Sequence, residues 1–247
     1  ETFCAKSSRM SNDRSITADE FRSYKFDACY TPDSEFALLA KGIGGRNYAG
    51  DPLLEEAGEI LRRYNVCANK TNRGAALGLM TAAPLLQASA REQARPDATA
   101  TLRATANRLL SAFARLDPIW AEVNRLRRGT VDVGLSGAPD TLRSIDVQPG
   151  LKRDGTATAQ GGDSLIFIST WAKDGSWQVE SIVPFGASKI AGTNHYADQA
   201  LLFADEKLKT LPLTPAALTA QATQMERPGK PPPPKGTLIA PPAPPSP

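Results

Sequence analysis

The hydrophobic pattern of this chain changes its period near Gly129, and that change limits the folds open to it. Before Gly129 the apolar residues recur at helical spacing. Thr17-Ala18-Asp19-Glu20 forms a capping-box pattern in front of Phe21, Tyr24 and Phe26. Asp51-Pro52 opens a second helix with Leu53, Leu54, Ala57, Ile60 and Leu61 on one face. A third helix starts near Asn72 and carries Ala76, Leu77, Leu79 and Met80, and Pro84 is expected to kink or end it. Leu102, Ala106, Leu109, Leu110 and Phe113 mark the clearest amphipathic helix, over 97–116. Asp117-Pro118 then restarts a short helix with Trp120, Val123 and Leu126, which Gly129 stops.

After Gly129 the alternation is that of strands. Val131 and Val133 alternate with polar residues. Leu165-Ile166-Phe167-Ile168, bounded by Gly161-Gly162, reads as a short buried strand. Trp177, Val179, Ser181 and Val183 fall on one face of a second strand, and Asp174-Gly175 between the two is a hairpin-turn signal. Helical patterns return over 196–209 and 214–225. The fold class expected is therefore α+β: helical over 1–130, strand-rich over 131–188, helical over 194–226. A sheet of two or three strands is small for this length and suits completion by strands of another polypeptide. The first residue is Glu1, which leads us to expect a processed product or a fragment of something longer.

Residues 227–247 hold ten of the twenty prolines and form a proline-rich tail. Such a composition buries too little apolar surface to offset the entropy of ordering, so a disordered, partly polyproline II tail is expected. The tail also accounts for the net charge of +3, because Arg227, Lys230 and Lys235 face no acid there and the remainder has 26 basic and 26 acidic residues. A neutral body argues against a nucleic-acid partner, which needs clustered basic surface. Arg125, Arg127 and Arg128 are the densest basic cluster and are read as a solvated helix end. No apolar run is long enough to span a bilayer.

The residues that invite a chemical reading do not assemble into a catalytic set. Gly162-Asp163-Ser164-Leu165 spells the motif of GDSL esterases, but here the apolar strand follows the serine. The chain's one histidine, His195, has Gly192 three residues before it where that family has aspartate. Asp163 and Ser164 therefore read as a strand-entry turn. Gly134-Leu135-Ser136-Gly137-Ala138 and Gly186-Ala187-Ser188-Lys189-Ile190 both lack the final glycine of a nucleophile elbow. His195, without a nucleophile, reads as an anchor at a helix entry, bonded to backbone or to Asp198, with Tyr196 and Gln199 fastening the helix to the sheet. Asp27, Asp33 and Glu35 around Tyr30 read as capping residues rather than paired carboxylates. Cys4, Cys29 and Cys67 form no CxxC. One disulfide, Cys29–Cys67, with one thiol left over fits the count, and so do three buried thiols. One histidine and no cysteine pair offer no zinc site. Asn69-Lys70-Thr71 fits a glycosylation sequon. No catalytic, cofactor-binding or metal-binding residue is assigned.

Several segments, taken in order, carry a resemblance. They are Ile16-Thr17-Ala18-Asp19-Glu20-Phe21 through Lys25-Phe26-Asp27, then Asn72-Arg73-Gly74-Ala75-Ala76-Leu77. Trp120 through Asn124-Arg125-Leu126-Arg127-Arg128-Gly129 and Gly161-Gly162-Asp163-Ser164 follow. Phe185-Gly186-Ala187-Ser188 and His195-Tyr196-Ala197-Asp198-Gln199 complete the set. Together, over about 15–210, they resemble the C-terminal half of the β-chain of penicillin acylase-type N-terminal nucleophile hydrolases, on the side of the lactone and aculeacin acylases. The resemblance implies an αββα sandwich completed by upstream segments, namely an α-chain and the first half of the β-chain. It implies a periplasmic or secreted amidohydrolase acting on an acylated small molecule of penicillin, acyl-homoserine lactone or lipopeptide type, without a cofactor. The family's nucleophile is the N-terminal serine of the β-chain, with its own α-amino group as base. Glu1 is not that residue, and Ser7 and Ser8 stand in the wrong context, so the resemblance implies a chain that is inactive alone. Two other readings stay open: a non-catalytic, partner-binding module that uses the tail, and a GDSL-like esterase.

Overall fold

The computed structural model of the chain describes residues 15–147 and 151–222. Cys4, Ser7, Ser8 and the proline-rich tail 227–247 lie outside the described residues. The helices begin where the sequence supplies side-chain acceptors for their first N–H groups. In α1 (Ala18–Lys25) the Thr17 hydroxyl accepts from the Glu20 N–H, and the Glu20 carboxylate takes the Thr17 N–H at 2.8 Å. Ser34 caps α2 (Glu35–Gly44), Asp51 with Pro52 opens α3 (Pro52–Arg63), and Asp97 caps α5 (Ala98–Phe113). At the start of α4 (Ala75–Ala90), Asn72 Oδ1 accepts from Gly74 N at 2.9 Å and Ala75 N at 3.1 Å.

These helices enclose the main apolar core, with Leu61, Leu77, Leu102 and Leu109 fully buried. Pro84 neither ends nor splits α4: the helix runs six residues past it. Pro84 itself faces solvent, and buried residues on the opposite face, from Ala75 to Ala88, hold the helix together across the missing hydrogen bond. The helix after Asp117-Pro118 is only one turn, α6 (Trp120–Val123), and the expected helix end at Arg125–Arg128 is instead strand β1 (Asn124–Arg128).

β1 pairs antiparallel with β2 (Val131–Gly134), Leu126 opposite Val133, and parallel with β4 (Ala157–Gly162). β3 (Ile145–Val147) closes the other side of β4, giving the order β2-β1-β4-β3. The Trp120 indole, fully buried, donates to the Gly137 carbonyl at 2.9 Å, which ties α6 to the loop after β2. Cys29 and Cys67 are disulfide-bonded. They face each other in a small antiparallel bridge flanked by Tyr30 N→Val66 O at 3.0 Å and Ala68 N→Ala28 O at 2.8 Å. That places the cysteines at a non-hydrogen-bonded pair, where antiparallel strands come closest.

The chain divides into two units, residues 1–166 with 182–207 and residues 167–181 with 208–247. The first contains the helices and sheet above and α7 (Ala200–Ala204). The second is built on a sheet of order β5-β6-β7, from β5 (Ile166–Trp171), β6 (Trp177–Ile182) and β7 (Lys209–Thr210), followed by α8 (Pro215–Gln221). The Lys173-Asp174-Gly175 turn joins β5 to β6, with Gly175 at φ +83° and Asp174 Oδ1 accepting from Ser176 N at 2.9 Å. Unlike the expected fully buried strand, β5 alternates: Ile166 and Ile168 are buried while Phe167 is exposed. On β6 Val179 is buried but Trp177 is not. The molecule is thus mixed α+β with two small sheets.

Candidate functional site

The His195 segment forms a clasp with the Phe185–Ser188 stretch. His195 Nδ1 meets Asp198 Oδ2 at 2.9 Å, with the imidazole largely in solvent. The His195 carbonyl accepts from Ser188 N at 2.9 Å and lies so close to Gly186 that a Cβ there would overlap it. Tyr196 lies beneath the Arg128 guanidinium, 3.9 Å from its ring centroid, and the same guanidinium sits 5.0 Å from the Phe185 ring. Gln199 is buried: its N–H donates to Phe185 O at 2.9 Å and its Oε1 accepts from Val183 N at 3.3 Å. The Phe-Gly-Ala-Ser and His-Tyr-Ala-Asp-Gln segments therefore bind each other and fix the start of α7. Asp198 and Gln199 act as the sequence suggests, and Arg128 joins them from β1.

Asp163 and Ser164 part company. Asp163 Oδ1 accepts from Lys25 Nζ at 2.8 Å and Oδ2 from Arg143 Nη1 at 3.2 Å. Arg143 is fully buried between the rings of Phe26 and Phe203, 5.4 and 4.0 Å from their centroids, and donates to Phe203 O at 2.8 Å. Burial pushes its guanidinium pKa down, and the Asp163 charge opposes that shift. This charged cluster lies in the part-buried interior; nothing in the Thr-Leu-Arg-Ser stretch around Arg143 signals it. Ser164 is exposed at the wall of a cavity of about 150 Å³. Among the described residues its hydroxyl makes no hydrogen bond with His195.

A larger cleft, of about 460 Å³, opens between α2, α4 and the loop at Pro139-Asp140. Tyr30, Phe36 and Trp120 contribute aromatic surface, and Leu79, Met80, Ala83 and Leu86 of α4 the aliphatic wall. Tyr30 and Phe36 rings stand 4.2 Å apart, and the Tyr30 hydroxyl donates to the Pro139 carbonyl. Burial, then the nearby Tyr64, Asp140 and Asp146, push the Tyr30 phenol well above its ordinary range, so it stays a neutral donor. Two polar residues at the cleft are engaged locally. The Ser34 hydroxyl donates to Thr31 O at 2.8 Å and caps α2, and Glu35 pairs with Arg95 at 2.5 Å. Asp27 accepts from Cys29 N at 2.8 Å. Such a cleft can hold an apolar group. The α4 wall was legible as helix periodicity; the Pro139-Asp140 rim had no signal.

Among the described residues no group of three His, Cys, Asp or Glu could hold a metal ion, and no helix is long and apolar enough to cross a membrane. No curated protein matches the chain. The model of the penicillin amidase family matches residues 7–220. That span takes in both halves of the clasp, the Lys25–Asp163–Arg143 cluster and the apolar cleft. With well over half its length matched, the chain belongs to the penicillin amidase family.

Proposed function

We propose that this chain is part of an amidohydrolase that removes an acyl chain from an amide-linked substrate of penicillin, acyl-homoserine lactone or lipopeptide type, with the nucleophilic serine supplied by an upstream segment. The family match over 7–220 carries the reading. Two features support it. The cleft by Tyr30, Phe36 and Trp120 is shaped for an apolar group, and its Ser34 and Glu35 side chains are taken up by a helix cap and an ion pair. In this reading the chain supplies scaffold and apolar surface to an αββα sandwich, and its partners are the α-chain and the first half of the β-chain. A periplasmic or secreted location is supported by the Cys29–Cys67 disulfide, since disulfides persist in oxidising compartments. Lactone substrates would make the whole enzyme a quorum-quenching one, penicillins an antibiotic-metabolising one.

The test is an acylase assay on penicillin G, an N-acyl-homoserine lactone and a lipopeptide. The purified chain should turn over none of them, and co-expression with the coding segment upstream of Glu1 should restore hydrolysis of at least one. Turnover by the chain alone would overturn the missing nucleophile. No turnover by the reunited protein on any of the three would overturn the amidohydrolase reading.

A further inference from the structure

The second unit carries an aromatic surface that the amidase reading leaves unused. Trp171 ends β5 and Trp177 starts β6, on either side of the hairpin turn. Their indoles are nearly parallel, 8° between planes with centroids 6.5 Å apart, yet Trp171 is 69% and Trp177 51% exposed. Phe167, of the same strand parity as Trp171, is 56% exposed. Tryptophan offers more apolar area than any other side chain, and two on one short hairpin contribute little to a core when both face solvent. Flat, exposed, adjacent indoles are the chemistry by which polyproline II segments are recognised. The stiff segment loses little entropy on docking, and its pyrrolidine C–H groups meet the electron-rich ring faces.

We propose that Trp171 and Trp177 form a docking site for the chain's own proline-rich segment, residues 228–247, with the Pro231-Pro232-Pro233-Pro234 run on the indoles. That run is bracketed by Lys230 and Lys235, and no acid follows Glu226. The tether has the necessary reach. Leu211 N donates to Val179 O at 2.8 Å, two residues from Trp177, so the chain toward the C-terminus leaves β7 beside the pair. From there to Ala222 the path is a few extended residues and the two turns of α8, on the order of 20 Å. Residues 223–230 in an extended form cover roughly 25 Å more, enough to return to the indoles. A tether this short gives an effective concentration on the order of 1 mM. A dissociation constant of roughly 0.1 mM would then keep the pair covered about nine-tenths of the time.

Acrylamide quenching of tryptophan emission in the full chain tests this. Trp171 and Trp177 dominate the quenchable emission, while Trp120 is fully buried and reports that the fold is intact. Changing all four prolines by Pro231→Gly, Pro232→Gly, Pro233→Gly and Pro234→Gly keeps the tether length but removes the rings and the polyproline bias. Quenching of the exposed pair should rise severalfold in this variant, with Trp120 emission unchanged. A synthetic peptide of residues 228–247, added to the variant, should restore protection. Equal quenching in the two proteins would overturn the proposal. So would protection that vanishes equally from both on dilution, which would mean that a second copy covers the pair.

Discussion

Arg143 concentrates the cost of error in one side chain. It is wholly buried, stacked between Phe26 and Phe203, and ion-paired to Asp163, while its Nε is buried without a hydrogen-bond partner. Removing one member of a buried pair typically costs about 3–5 kcal/mol. Arg143→Met should fall toward the lower end, because Lys25 still holds Asp163 at 2.8 Å. The double variant Arg143→Met with Asp163→Leu should lose less than the single one, and urea unfolding of the two measures the difference. The disulfide gives a second prediction at this scale. It closes a loop with a sequence separation of 38, which in the chain-entropy account is worth about 4 kcal/mol. Cys29→Ser with Cys67→Ser should lower stability by up to that amount in the same assay, and thiol titration of the unreduced, unfolded parent should find one free thiol. Neither residue was equally legible. Cysteine count and spacing allowed the Cys29–Cys67 bond beside an all-thiol alternative, whereas a buried arginine is defined by partners 20 and 60 positions away that no local pattern reveals.

The caps written in the sequence were the legible part of the helices. Thr17, Asp51 and the Asn72 turn all sit where a side-chain acceptor precedes an apolar period. Pro84 does not end α4, because local propensity says nothing of the face on which a residue will lie. Pro84 is exposed and leaves the Met80 carbonyl without its helical N–H partner, so Pro84→Ala should restore one hydrogen bond. A gain of about 1–2 kcal/mol is expected, reduced from the full helix penalty by the greater freedom of the unfolded alanine chain. A higher thermal midpoint would show it, and an unchanged or lower one would mean that the proline fits the helix without cost. Asn124–Arg128 was misread because five residues with Leu126 inward and arginines on both sides satisfy period 2 as well as a helix end. The pairing that decides between them, Arg125 and Arg127 both on Asp132 at 2.8 and 3.1 Å, lies across the hairpin. β5 departs from its expected burial for a similar reason: an apolar run records hydrophobicity but not how many faces are covered.

For the molecule as a whole, the charged network sets the response to acid. Hydrogen bonds hold the Asp51 carboxyl (from Arg103) and the Asp154 carboxyl (from Thr156) below their ordinary range. At Asp132 and Glu122 partial burial pushes upward, but bonds from Arg125 and Arg127, and from Arg115 and the Ile119 N–H, outweigh it. A carboxyl whose folded pKa is lowered stabilises the fold fully above its unfolded value and loses that contribution as pH falls through the folded one. Urea midpoints should therefore be flat from neutral pH down to about pH 5 and fall progressively below about pH 4. A midpoint that rises on acidification would contradict this assignment of charges. The α+β class was legible at this scale because the change of period survives errors in any one element. The identity of the apolar cleft was not, since its walls come from four separate stretches of chain. The Cys29–Cys67 bond has one further consequence. Because α2 and α3 lie wholly between the two cysteines, a protease that nicks either helix or the loop joining them leaves both products covalently tethered. Limited digestion there would be silent on a non-reducing gel and would appear as two fragments only after the thiols are reduced.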